Sequence, residues 1–188
     1  AHRLAYVYIK KAYGDYPLHA ERGQGGDGYY SNRDQGPMSH NVKVGIVENV
    51  THVVHGTRWY QRVLGRAYSY IRNHVGLSRM APFSDFIGLN YYHVERRFGG
   101  TPNVLPVGRV VPDPYWELHA EGMFHCLKAL TRYKKPILIT ENGLPDSEDT
   151  YRAMFITDHL ASVHRAIQDG VDVRGYLHWS LLDNFEWA

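Results

Sequence analysis

Cysteine is almost missing from this sequence: Cys126 is the only one in 188 residues, so no internal disulfide can form. It lies in the helix-like run Glu121-Gly122-Met123-Phe124-His125-Cys126-Leu127 with no base partner beside it. That context reads as a small buried hydrophobe and not as a thiol nucleophile. Nor is there an apolar stretch near the roughly 20 residues that cross a bilayer, which argues against a membrane protein. Charge of one sign is lacking too. Twenty-one basic and 19 acidic residues leave a net charge of +2, too balanced to imply a nucleic-acid partner. The opening Ala1-His2-Arg3 has no initiator Met and no signal-peptide pattern, and it leads into helical spacing as the middle of a longer chain would. A cytoplasmic location is the expectation.

What is present is a globular composition, 44% hydrophobic and 21% charged, on a chain long enough to bury about 70% of its unfolded surface. Aromatic content is high at 13%, with 15 Tyr and 4 Trp. Rings with polar edges suit a core margin and equally a ligand with apolar faces, such as a sugar.

Periodicity predicts alternating elements. Apolar residues recur at helical spacing from His2 to Tyr13. Residues 14–41 are polar and Gly-rich and form a long loop, of a length often devoted to binding. The Gly23-Gln24-Gly25-Gly26-Asp27-Gly28 match to a dinucleotide fingerprint has no strand before it and no helix after it, so it carries no weight. Strands are predicted at 42–47, 85–92, 137–141 and 173–180, with helices at about 57–75, 116–133 and 150–169; Gly170 supplies the last stop signal. Unbroken apolar strands alternating with helices imply a parallel sheet with helices packed outside it. Each strand ends in polar or aromatic residues: Glu48 and Asn49, Asn90 and Tyr92, Glu141 and Asn142, Trp179 and Ser180. In a (β/α)8 barrel that end is the catalytic face, although periodicity alone also allows a doubly wound sheet.

The run Lys135-Pro136-Ile137-Leu138-Ile139-Thr140-Glu141-Asn142-Gly143 stands out. It delivers a carboxylate from a buried strand straight into an Asn-Gly turn, where an unpaired charge costs several kcal/mol (about 3 or more) unless it has partners or a task. The paired histidines His52 and His55, and His159 and His164, lack the carboxylate or thiol company of a metal site, and no metal or cofactor is expected. Tyr91, next to Tyr92, falls on the opposite face of its strand and reads as packing. Arg174 and Asp183 read as structural ion-pair partners.

Asp85 to Tyr92 (DFIGLNYY), Ile139 to Leu144 (ITENGL) and Gly170 to Ala188 (GVDVRGYLHWSLLDNFEWA) together resemble the glycoside hydrolase family 1 β-glycosidases, β-glucosidases among them. The resemblance implies a (β/α)8 TIM barrel, of which residues 1–188 would be the C-terminal half, strands five to eight, with 14–41 a loop insertion. It implies retaining hydrolysis of β-linked sugars without a cofactor. Glu141 would be the nucleophile and Tyr92 the phenol that hydrogen-bonds it, with Asn90 on the same wall. Trp179 would lie under the sugar in the innermost subsite, and Glu186 and Trp187 would read its outer hydroxyls. A carboxylate at Glu186 would repel a phosphate, which favours a non-phosphorylated glycone.

The family places its general acid/base in an Asn-Glu-Pro segment ending the fourth strand, and no Asn-Glu-Pro occurs here. Glu48 ends the fifth strand and is expected on the matching rim, while Glu95, Glu117 and Glu121 are expected in loop or helix; none of the four is expected in the acid/base place, and all are expected to face solvent. The chain alone is therefore expected to be inactive, its partner being the N-terminal half of the barrel. The alternative is a non-catalytic carbohydrate-binding or structural half-barrel.

Overall fold

The computed structural model describes residues 3–5, 43–99, 117–146 and 148–182. The 14–41 segment, most of the first predicted helix, the proline-rich stretch before residue 117, and Asp183, Glu186 and Trp187 lie outside the described residues.

Among the described residues, and beyond the helical residues 3–5, six strands and three α-helices follow in chain order: β1 (Gly45–Asn49), β2 (His52–Val54), α1 (Trp59–Met80), β3 (Phe86–Asn90), β4 (Val94–Arg96), α2 (Ala120–Leu130), β5 (Ile137–Glu141), α3 (Arg152–Gln168) and β6 (Val173–Tyr176). Strands β1, β3, β5 and β6 form one all-parallel sheet in that order, each joined to the next by a crossover connection that carries a helix. Strands β2 and β4 pair in parallel as a separate ribbon.

Local chemistry accounts for the helix ends. The Arg58 N–H donates to Gln61 Oε1 at 3.0 Å, occupying one of the orphan donors where α1 begins. Pro82 ends α1, which tightens into a 3-10 turn at Ala81–Phe83. Asp146 Oδ2 accepts from the Tyr151 and Arg152 N–H groups at 2.7 and 3.1 Å and so caps α3. At its far end Gly170 takes φ +84°, with Gly170 N–H to Ile167 O at 2.9 Å and Val171 N–H to Ala166 O at 3.0 Å. This is a Schellman stop at the glycine that the sequence marks as one.

The core lies on one face of the four-stranded sheet. Ile87, Leu89, Ile137 and Ile139 are sealed against Leu77 of α1, Met123, Leu127 and Leu130 of α2, and Val163 and Ala166 of α3. The opposite face carries Val47, which is 49% exposed, together with Gly88 and Thr140. Helices on a single face exclude, among the described residues, the doubly wound arrangement, which covers both. A barrel wall has this form, with helices outside and a second face turned inward.

Candidate active site

The C-terminal ends of β3, β5 and β6 meet at Glu141. Across β3 and β5 the register runs Leu89 to Ile139 and then Asn90 to Glu141, skipping Thr140. That bulge decides where the carboxylate points. Ile137 and Ile139 face the helices, and strict two-residue alternation would send Glu141 after them into the core. With one extra residue inserted, Glu141 pairs instead with Asn90, on the face opposite Leu89. The Thr140 hydroxyl donates to Asn90 Oδ1 at 2.6 Å and ties the bulge to the neighbouring strand.

Tyr92, two residues past the end of β3, donates its hydroxyl to Glu141 Oε2. Tyr91 points the other way and is fully buried, its hydroxyl donating to the His119 carbonyl at 2.7 Å. Burial holds the Tyr91 phenol well above its ordinary range. Trp179 is 40% exposed and stands beside the turn after Glu141: its N–H donates to the Asn142 carbonyl at 2.9 Å, and the Trp179–Ser180 peptide is cis. Gly143 permits this approach, since a Cβ there would lie 2.0 Å from the Trp179 carbonyl oxygen. Thus Glu141, Tyr92, Asn90 and Trp179 converge on one rim, whereas Glu186 and Trp187 lie outside the described residues.

Two groups at this rim were given no role by the sequence. Asn142 is fully buried: its Nδ2 donates to the Tyr91 carbonyl at 2.6 Å, and its Oδ1 accepts from the Tyr176 hydroxyl at 2.8 Å. Burial pushes the Tyr176 phenol up to about 12, so it remains a donor across the physiological range. An Asn-Gly pair after a strand signals a turn, and nothing in that signal names the two tyrosines that the amide meets.

The other carboxylates differ from expectation. Glu48 pairs with Leu89 in the ladder and so lies on the helix face, not on the rim that carries Glu141. Burial raises its pKa, with Arg72 acting in the opposite sense. Glu95 belongs to β4, not to a loop; it accepts from the Tyr68 hydroxyl at 2.8 Å and pairs with Arg97. Glu117 is not solvent-facing: it pairs with Arg96, and both side chains are less than one-fifth exposed (17% and 13%). Glu121, half-exposed on α2, pairs with Arg165 at 2.6 Å. None of the four joins Glu141 on the open face. Arg174, an extra residue in β6 where Leu138 pairs with Gly175, is exposed and pairs with Asp172. No cluster of three or more His, Cys, Asp or Glu among the described residues could hold a metal ion.

The chain is similar in part to known glycosidases. The family model described as Glycosyl hydrolase family 1 matches residues 107–188. Over those residues the chain is similar to glycosyl hydrolase family 1. A β-galactosidase from Pyrococcus woesei is 36% identical over 128 residues, covering 56% of this chain and 25% of its own length. Among solved structures, a β-glycosidase from Pyrococcus horikoshii superposes with a TM-score of 0.68 at 31% identity, covering 80% of this chain and 41% of that one. Fpglu1 from Fervidobacterium pennivoraus superposes with a TM-score of 0.74 at 29% identity, covering 99% and 39%. The chain thus spans about a quarter of the curated relative's length in sequence and about two-fifths of the solved chains. Its sheet and helices are part of a (β/α)8 barrel. No helix among the described residues is long and apolar enough to cross a membrane.

Proposed function

We propose that this chain contributes to a retaining, β-glucosidase-like glycosidase that hydrolyses terminal non-phosphorylated β-D-glycosides through a glycosyl-enzyme on Glu141. The observation that carries the reading is the Tyr92 hydroxyl donating to the Glu141 carboxylate at the C-terminal rim of a parallel sheet. In the first step Glu141 attacks the anomeric carbon and the glycosidic oxygen leaves with a proton; in the second, water displaces Glu141 and restores the carboxylate. The Tyr92 donor orients the attacking oxygen and stabilises its charge in the free enzyme. Trp179 offers an indole face to the apolar C–H face of the glycone. Asn90, Glu186 and Trp187 bind hydroxyls, and the Glu186 charge disfavours a phosphorylated sugar.

Proton delivery needs a second carboxylate about 5–5.5 Å from the nucleophile. Glu48, Glu95, Glu117 and Glu121 all lie elsewhere, so the acid/base belongs to strands that complete the barrel beyond β1 and β6. Those strands are the partner we assign to this chain. They would also pair its two open sheet edges and cover Leu177, Leu181 and Leu182, which are 54%, 96% and 77% exposed.

Two measurements test the reading. The 188-residue chain incubated with an aryl β-glucoside is expected to show no turnover; robust hydrolysis lost in Glu141→Gln would place a working acid within the chain and refute the division of labour. In a closed barrel that unites the chain with an Asn-Glu-Pro strand end, a 2-deoxy-2-fluoro-β-glucosyl inactivator is expected to leave one covalent adduct on Glu141 by peptide mapping. An adduct on another carboxylate would overturn the nucleophile assignment.

A further inference from the structure

We propose that Asn142 is a positioning residue for Glu141, its side-chain amide acting as the clamp that holds the Glu141 carboxylate against Tyr92 and Trp179 beside both. The inference rests on the reading of Glu141 as the nucleophile, and it concerns a residue that touches neither the carboxylate nor the sugar.

The regular ladder ends at Glu141 after a bulge, a place where a strand end has fewer backbone constraints than its middle. Here residues 141 and 142 are tied on both sides. Toward β3, the Tyr91 N–H donates to the Glu141 carbonyl at 3.0 Å and Asn142 Nδ2 donates to the Tyr91 carbonyl at 2.6 Å. Toward β6, the Tyr176 hydroxyl donates to Asn142 Oδ1 at 2.8 Å and the Trp179 N–H donates to the Asn142 carbonyl at 2.9 Å. The amide is therefore in contact with the chain on both sides at this level, and each end of it has a partner of the required kind. Tyr176 is itself oriented by His178, whose Nδ1 lies 3.4 Å from its hydroxyl.

Chemistry restricts the position to Asn. An Asp would keep the acceptor for Tyr176 but lose the donor for Tyr91; a Leu of similar size would take the amide donor from the Tyr91 carbonyl and leave the Tyr176 hydroxyl only the longer contact with His178. Because Tyr91 is followed at once by Tyr92, a shift of the Tyr91 carbonyl moves the hydroxyl that holds Glu141. Because Trp179 is bonded to the Asn142 main chain, the same shift moves the indole. One amide thus sets the spacing of three groups on the rim.

The test is made on the 188-residue chain by NMR, with tyrosines labelled at 13Cζ, a nucleus that senses whether the hydroxyl donates to a carboxylate. Glu141→Gln calibrates the Tyr92 signal for loss of that charged acceptor. Asn142→Ala is expected to move the Tyr92 signal most of the way to the Glu141→Gln position, while amide protection in β3 and β5 persists. Tyr176→Phe, which removes one arm of the clamp and keeps the ring, is expected to move it part of the way. If Asn142→Ala folds and leaves the Tyr92 signal in place, the proposal is overturned. If Asn142→Ala does not fold, Tyr176→Phe decides: an unmoved signal refutes the clamp, and a shifted one supports it. None of these readouts depends on turnover, so failure of Glu141 to take a glycosyl adduct would refute the nucleophile and leave the clamp standing.

Discussion

Asn90 stands opposite Glu141 and not opposite Thr140, and that single skipped residue turns the carboxylate away from the hydrophobic core. Deleting Thr140 removes the extra residue and leaves Glu141 directly after the core-facing Ile139, so regular two-residue alternation keeps the carboxylate opposite Asn90 on the open face. The deletion loses the bulge and the Thr140 bond to Asn90 Oδ1 but buries no charge, so it is expected to keep a cooperative transition in denaturant titrations. Thr140→Val keeps the bulge and loses only the hydroxyl that donates to Asn90, so a cost of about 1 kcal/mol is expected in the same titration. Loss of cooperative unfolding in the deletion variant would show that the register opposite Asn90 is not enough to hold Glu141 on the open face.

Gly143 lets Trp179 approach the strand end. The added methyl of Gly143→Ala would fall 2.0 Å from the Trp179 carbonyl and 3.4 Å from its Cβ. The backbone oxygen has nowhere flexible to go, so the substitution is expected to cost at least about 1–3 kcal/mol, the usual range for overpacking. For a chain of this size that corresponds to a fall in melting temperature of roughly 2–4 °C per kcal/mol. Trp179 fluorescence should shift with it, because the backbone that must move is the one that carries the indole. Thermal melts and emission spectra check both.

The sheet and the three helices were legible because their apolar periods are long. The helix-like pattern predicted at 57–75 forms α1, and the strand ending in Glu141 forms β5, as the run Ile137 to Thr140 implies. Other features were hidden for identifiable reasons. Strands β2 and β4 have three residues each, too few for a period, and pair across some 40 residues of sequence. The last strand stops at Tyr176 and not at Ser180, because from Leu177 onward the chain wraps around the Asn142-Gly143 turn. Glu48 read as a rim carboxylate because it ends a strand, but its face follows from its ladder partner, Leu89. Motifs pointed to Trp179 and Glu141, which the structure brings to one rim; the contacts of the Asn142 amide with Tyr91 and Tyr176 arise only when the chain beside β3 and β6 closes on it.

Acid is expected to destabilise the fold through two histidines. Burial lowers His52 from 6.5 to about 4, reinforced by His125, His119, His55 and Arg96, and lowers His159 to about 4, with the Phe155 carbonyl partly opposing. A group whose proton is held more weakly in the folded state takes it up first on unfolding. Stability is therefore complete above about pH 6.5 and falls as pH drops toward 4, by on the order of 3 kcal/mol per histidine at most. His119 adds to the effect: its Nδ1 accepts the Gly122 N–H at 2.9 Å, a role that protonation removes. Urea titrations from pH 7.5 to 4 should show the loss. His52→Phe, which keeps a ring between His119 and His125, should flatten it; an unchanged slope would assign the acid sensitivity to other groups.

Gly122 and Tyr91 occupy what is nearly a single space. A Cβ on Gly122 would lie 1.9 Å from the Tyr91 hydroxyl oxygen and 3.2 Å from His52 Cβ, at the first turn of α2. Gly122→Ala therefore has to expel the hydroxyl from its bond to the His119 carbonyl, and its cost should exceed that of Tyr91→Phe, which only removes the hydroxyl. The two changes are expected to couple. In the double variant the methyl meets no oxygen, although Tyr91 Cζ at 2.8 Å still crowds it, so part of the Gly122→Ala cost should disappear. A coupling energy of about 1 kcal/mol or more in a double-mutant cycle is the expected result. Strict additivity would mean that the backbone at Gly122 relaxes away from Tyr91, and that the β3 end and α2 are held together by packing rather than by this contact.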